Sequence, residues 1–432
     1  MLLYIHVPFC RGKCRYCAFY SEPLAGSAPG RGQERMQLWV DTLLMEMAQW
    51  ADRLERPAVR TVFFGGGTPS LVPPDILSAV LNRVRRSFRL EPGAEISMEA
   101  NPESLTRASA RGYARAGINR VSLGVQALND DLLAFLGRPH TVKDVMQAYN
   151  ALRAANCHNI SLDLIWGLPG QSVTAWLGQL GEVVRLRPEH VSCYGLSVEP
   201  GTPLAAMRDI DAFTLPLERE QATMYMRGAE ILEEAGLLQY EISNFSRMGY
   251  QCRHNTGYWE GEDYLGLGPG ATSTLGGRRW TNPADIAAWA DVVRRHAGAA
   301  DAEELTLTDR VLELVMLRLR TARGLRVKAY RALTGRDLLR DHKELIHALH
   351  RHGLIRIRHG YLWLTRSGML VSNSILERFF DSVRESLTEG GPARPPAVAQ
   401  APDTAPGAEI PDTAVPDTKA RAQKTRKEDD EC

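Results

Sequence analysis

Three cysteines fall within one short stretch, Cys10-Arg-Gly-Lys-Cys14-Arg-Tyr-Cys17, directly after an apolar run that predicts a strand ending in a loop. Thiolates are soft ligands suited to iron-sulfur clusters. A short loop bearing three of them can meet three irons of a cubane and leave the fourth open to bind a substrate. A zinc site brings two ligand pairs, and no second C-x2-C lies within reach of Cys14 and Cys17. A c-type heme attachment needs His where this chain has Ala18, and a thioredoxin-like pair leaves Cys10 unexplained.

Other residues with chemical potential follow at intervals. Gly65-Gly-Gly-Thr-Pro69 can bring backbone close to a ligand, although alone it is a tight turn between strand and helix. It is not a phosphate loop, because no Gly-Lys-Ser/Thr follows. Glu99, Gln126, Arg138 and Asp163 each lie at or shortly after a predicted strand end. Carboxylates and an amide there suit ribose hydroxyls, and an arginine suits a carboxylate; taken singly, each reads instead as a cap, a turn former or a surface charge. His254-Asn-Thr-Gly-Tyr258-Trp259 pairs an imidazole, a common axial ligand of heme iron, with aromatic rings that could cover a porphyrin face. Cys252 competes with His254 as a ligand, and by chemistry alone His254 reads as a hydrogen-bonded core residue.

The elements that must position these residues alternate. Apolar or alternating runs at 2–7, 59–64, 94–98, 120–124, 160–165 and 191–196 predict six strands. Helical patterns at 33–52, 74–87, 106–116, 142–155 and 172–187 lie between them, so the fold class is α/β with a parallel sheet. By pattern alone a partial barrel and a doubly wound sheet are not separable; in both, loops at the carboxyl ends of the strands carry chemistry. Residues 200–305 do not continue the repeat and are expected to connect. From 308 onward, helices at 309–321, 328–334 and 341–352, a ribbon at 354–364 and a last helix at 365–387 predict a winged-helix-like unit. The tail from 389 to 432, with Pro-Asp-Thr repeated at 402, 411 and 416, has too few large apolar residues to order itself.

With 52 basic against 51 acidic residues the net charge is +1, which disfavours nonspecific nucleic-acid binding. The basic ribbon Arg356, Arg358 and His359 is therefore expected to be a solvated face, with no nucleic-acid partner. No apolar stretch nears the ~18 residues of a membrane-spanning helix, and no secretory leader pattern opens the chain. A cytoplasmic location is expected, with peripheral membrane contact left open. Seven cysteines, clustered at one end, suit metal ligation better than disulfides, with Cys157 and Cys193 as core thiols.

The segment Tyr4-Ile-His-Val-Pro-Phe9 followed by C-x3-C-x2-C resembles the radical S-adenosylmethionine (SAM) superfamily. The resemblance implies a [4Fe-4S] cluster on Cys10, Cys14 and Cys17 whose open iron chelates SAM. It also implies an open, partial (β/α)6 TIM-like barrel over residues 1–215, a connecting region at 216–305 holding the His254 motif, and a C-terminal winged-helix-like domain at 306–388. The strand-end residues together resemble oxygen-independent coproporphyrinogen oxidases and their HemW relatives. That similarity implies that Tyr4, Tyr16, Gly66, Gly67, Thr68, Glu99, Gln126, Arg138 and Asp163 contact SAM. The decarboxylating oxidases carry a further cysteine two residues after the third, where this chain has Phe19, and a longer amino-terminal extension. The His254 motif matches H-N-x-x-Y-W of the HemW-type heme chaperones. The resemblance therefore implies heme as ligand, with His254 as a candidate axial residue, and transfer to a heme-accepting apoprotein. Coproporphyrinogen III dehydrogenase is the enzymatic alternative.

Overall fold

In a computed structural model that describes residues 1–24 and 31–389, six parallel strands lie side by side in chain order. They are Leu2–Val7, Ala58–Gly66, Arg89–Ala100, Arg120–Gln126, Ile160–Trp166 and His190–Gly195. The helices Arg31–Arg53, Pro74–Ser87, Arg107–Ala116, Val142–Ala154 and Val173–Leu186 join them. Successive strand residues face opposite ways, and here the two faces differ sharply in composition. Leu3, Ile5, Phe64, Met98, Leu123 and Leu164 share one buried core with Trp39, Leu81, Tyr113 and Leu180 of the helices. The alternate residues, Tyr4, His6, Thr61, Glu95, Glu99, Arg120, Ser122, Asp163, His190 and Ser192, are mostly polar; Ser122 and Ser192 bond to Asp163, and Ser161 to His190, across the strands, while Tyr4 bonds to His6 along one. This is a partial barrel with a polar interior. Trp39, fully buried, donates its indole N–H to the His6 carbonyl at 3.0 Å and so anchors the first helix to the first strand.

The helix ends follow local rules. Thr106 with Ser109 and Thr141 with Asp144 form capping boxes, and Gly117 ends its helix in the left-handed region at φ 111°. The third strand is longer than the sequence suggests because it runs through Pro92 and Gly93, both ordinarily strand breakers. The pairing register shifts between Val59 and Thr61 opposite this stretch, which absorbs them.

Residues 216–305, expected to connect, instead widen the sheet to twelve strands. Tyr264–Leu267 pairs in parallel with the first strand and carries Thr272–Leu275, Arg278–Thr281 and Glu303–Glu304 beyond it. At the other edge Asn244–Ser246 and Leu238–Gln239 add to the sixth strand antiparallel. Short strands separated by glycine-rich turns gave no periodic signal.

The C-terminal unit has its own core, including Val315, Tyr330, Leu349, Leu362 and Phe379. Its sheet orders Leu325–Arg326, Tyr361–Leu364 and Ile355–Arg358, closed by a two-residue turn in which His359 and Gly360 both take positive φ, 51° and 78°. The helix expected at 341–352 runs Lys343–Arg351, preceded by a short separate helix Leu338–Asp341, and the last expected helix is broken once, at Val371. Arg366 pairs with Glu233 and Arg279 with Glu313, tying this unit to the barrel region. The tail beyond residue 389 lies outside the described residues. Among the described residues no helix is long and apolar enough to cross a membrane.

Candidate functional site

The thiol loop leaves the carboxyl end of the first strand. Cys10 closes a two-residue strand, Phe9–Cys10, paired in parallel with Glu22–Pro23. Cys10, Cys14 and Cys17 are half-buried free thiols. Cys10 Sγ lies 3.4 Å from Thr68 Oγ1, Arg138 Nη1 donates to Cys14 Sγ at 3.4 Å, and the Cys17 amide donates to the Cys14 carbonyl at 3.2 Å. Burial raises the Cys17 thiol pKa, Lys13 opposes the shift, and Cys14 and Cys10 add to it. Among the described residues no three His, Cys, Asp or Glu side chains converge on one point as ligands of a single ion do. A cubane does not require that, because each thiolate bonds a different iron. Three accessible thiols on one loop, with a guanidinium against one sulfur, are a donor set that fits such a cluster. Tyr16 packs beside Leu133 and Leu136, and its hydroxyl is pushed up by burial with Arg138 opposing.

The glycine turn belongs to the same mouth, for a reason the sequence did not disclose. A Cβ on Gly66 would lie 2.3 Å from the His6 ring, and one on Gly67 would lie 2.7 Å from the Phe9 carbonyl oxygen. These glycines let the second strand close against the first; Gly66 also requires φ 109°. The Gly67 and Thr68 amides donate to the Val7 and Phe9 carbonyls, both at 2.7 Å. Gly66 N donates to Glu99 Oε2 at 3.0 Å. Burial lifts the Glu99 carboxyl to about 7, the Gly66 bond counters it, and Asp163 adds to it. Asp163 accepts from three hydroxyls, Ser122, Ser161 and Ser192, at 2.7–3.1 Å. Gln126 holds φ 64°, an uncommon conformation for a non-glycine residue, at a register shift after Gly124. Tyr4 donates to His6 Nδ1 at 3.1 Å, since His6 Nε2 must donate to the Tyr20 carbonyl at 3.1 Å. Tyr4, Tyr16, Gly66, Gly67, Thr68, Glu99, Gln126, Arg138 and Asp163 thus gather around the lumen and the thiol loop.

His254 lies deeper, its ring centroid 6.5 Å from that of Tyr4. It lies in the short helix Arg253–Trp259 on the barrel floor, 1 % exposed, with Nδ1 2.8 Å from Thr61 Oγ1 and its ring stacked on Phe63 at 5.0 Å. Glu95 accepts from the backbone N–H groups of Arg253 and His254 at 3.0 and 3.2 Å, holding the start of that helix. Burial, with Arg120 and Arg60 adding, lowers the His254 pKa to about 3, so the ring is neutral. Cys252 is fully buried, its thiol pushed up to about 12 by burial, and it donates to Glu95 at 3.6 Å. Neither side chain presents an open face to a macrocycle in this arrangement.

Sequence reasoning missed the floor network. Arg120 is almost wholly buried; burial opposes its charge, and neighbours including Glu95 and Asp163 outweigh that. His190 bridges Ser161 and Tyr240, both at 2.8 Å. The signal was present: Glu95, Ser97 and Glu99 alternate with apolar residues that face the helices, as do Arg120 and Ser122.

The model of the radical SAM superfamily matches residues 4–176, and that of the HemN C-terminal domain matches 305–371. The heme chaperone HemW of Synechocystis sp. is 39% identical over 328 residues, 74% of this chain and 78% of that one. HemW of Bacillus subtilis is 33% identical over 380 residues, 87% of this chain and 98% of that one. Among solved structures, coproporphyrinogen III oxidase (HemN) from Escherichia coli superposes with a TM-score of 0.74 at 23% identity, covering 88% and 89% of the two chains. That last likeness is one of fold.

Proposed function

Because the chain belongs to the family of the heme chaperone HemW, we propose that it binds heme and passes it to an acceptor apoprotein. We further propose a [4Fe-4S] cluster on Cys10, Cys14 and Cys17 and SAM in the adjoining lumen. The observation that carries the reading is the gathering of the three thiols, Thr68, Arg138 and the carboxyl of Glu99 at one end of a barrel whose relatives are named heme chaperones. When bound, the cluster and SAM supply one-electron chemistry. The protein's own share is positional. Arg138 balances thiolate charge, and the Gly65–Thr68 turn fixes backbone beside it. Glu99, with its pKa near neutrality, can accept or donate a hydrogen bond toward a ribose hydroxyl.

Heme is proposed as cargo. The enclosed ring of His254 favours a role in fastening the Arg253–Trp259 helix to the barrel floor over axial ligation. Phe19, 71% exposed beside the thiol loop, supports the chaperone over coproporphyrinogen III dehydrogenase, whose relatives have cysteine there. The test is a visible-range heme titration of the reconstituted protein, followed by mixing with a heme-free acceptor. Saturable binding and transfer support the proposal. Protoporphyrinogen formation at turnover from coproporphyrinogen, SAM and reductant would establish the dehydrogenase instead.

A further inference from the structure

We propose that Asn101 is a positioning residue that joins two of the three sulfurs in one hydrogen-bonded bracket and thereby sets the redox balance of the cluster. The inference rests on the proposal that Cys10, Cys14 and Cys17 hold that cluster. Asn101 follows the third barrel strand, and its main chain is held from both sides. Its N–H donates to Ser70 Oγ at 3.1 Å, and its carbonyl accepts from Ser104 Oγ at 2.8 Å. The side chain makes no capping bond to the turn that follows, so the amide is free for other partners.

Those partners fix its orientation. Arg138 Nη2 lies 2.7 Å from Asn101 Oδ1, and a guanidinium only donates, so the amide oxygen faces it. Nδ2 then donates to Thr68 Oγ1 at 3.0 Å. Thr68, its oxygen accepting from the amide, has its hydroxyl proton left for Cys10 Sγ at 3.4 Å. At the opposite end Arg138 Nη1 donates to Cys14 Sγ at 3.4 Å, while Nη2 also reaches the Gly124 carbonyl at 3.2 Å. The path is continuous: Cys10, Thr68, Asn101, Arg138, Cys14. Its packing allows no spare atom, because a Cβ on Gly124 would stand 3.0 Å from Asn101 Oδ1.

Hydrogen bonds to ligand sulfur stabilise the extra negative charge of a reduced cluster, and their loss lowers the potential. Asn101 touches no sulfur; it acts by holding the two groups that do. The test uses the full chain, reconstituted without oxygen, as wild type, Asn101→Ala, Asn101→Ser, Thr68→Val and the Asn101→Ala/Thr68→Val double variant. Iron and sulfide are measured first, then the reduction potential by redox titration followed by electron paramagnetic resonance. At a fixed applied potential the reduced-to-oxidised ratio is expected to fall about tenfold in Asn101→Ala, equivalent to about 59 mV for one electron. The double variant should shift by clearly less than the sum of the two single shifts, as a shared path requires. Potentials unchanged in a fully loaded Asn101→Ala protein, or strictly additive shifts, would overturn the bracket. Should Asn101→Ala not fold, Asn101→Ser decides by the same criteria. Wild type lacking iron and sulfide would instead overturn the cluster reading, and the bracket with it.

Discussion

A thiol and an imidazole can each serve as ligand or as packing, and here burial separates the two roles. Cys10, Cys14 and Cys17 keep partial access, whereas Cys157, Cys193 and Cys252 are buried. His254 is enclosed between Thr61, Phe63 and Tyr258, and removing it would leave both a void and an unpaired hydroxyl. His254→Ala is therefore expected to destabilise the fold by about 2–4 kcal/mol in denaturant unfolding. Heme affinity per folded molecule, titrated alongside, should stay within about threefold of wild type; loss of binding with stability intact would restore the histidine as ligand. The three cysteines proposed to hold the cluster stood out because their spacing is itself the signal, and the structure sets them on one half-buried loop. The enclosure of His254 was not legible, since a six-residue motif does not state what packs over it.

At the scale of elements, the six parallel strands and the five helices that join them were legible because period-two and period-3.6 patterns alternate cleanly along residues 2–196. The added strands at 238–246 and 264–304 were not, being two to four residues long and tied to the barrel by partners far away in sequence. The Arg253–Trp259 helix is too short to persist unaided and depends on the carboxylate of Glu95 at its first turn. Glu95→Ala should cost about 2 kcal/mol or more, because it strips the acceptor from buried donors. Hydrogen exchange should locate the loss, with amides 253–259 exchanging faster than those of the central strands; uniform acceleration across the barrel would contradict this anchoring role. At the helix layer, Trp39→Ala is expected to cost about 3–5 kcal/mol in the same unfolding assay, as a fully buried indole with a satisfied N–H is lost.

For the whole molecule, buried titratable groups shape the response to pH. Burial lifts Glu46, Glu99 and Glu241 to about 7, each from a usual value of 4.5. Between those values the native state binds more protons than the unfolded chain, so stability falls as pH rises from 4.5 to 7. His6 and His254 are lowered by burial to about 4 and about 3. Below 6.5 the unfolded chain takes up the protons these rings refuse, so their share of stability is lost as pH falls. Glu46 is a clean probe, buried on the first helix and held by Gly268 N and Asn282 Nδ2, both at 2.8 Å. Glu46→Gln should flatten the decline in melting temperature toward pH 7, removing up to about 3 kcal/mol of pH-dependent loss. An unchanged pH profile would show that Glu46 does not carry it. Net charge and composition gave no hint of these groups, because a buried carboxyl and a surface one are identical in a sequence.

The most direct measurement is iron and acid-labile sulfide per chain, on protein purified and reconstituted without oxygen, for wild type and Cys14→Ser. The account predicts about four of each in wild type, a marked loss in the variant, and an electron paramagnetic resonance signal on reduction that changes when SAM is added. Wild type free of sulfide, or Cys14→Ser loaded like wild type, would contradict it.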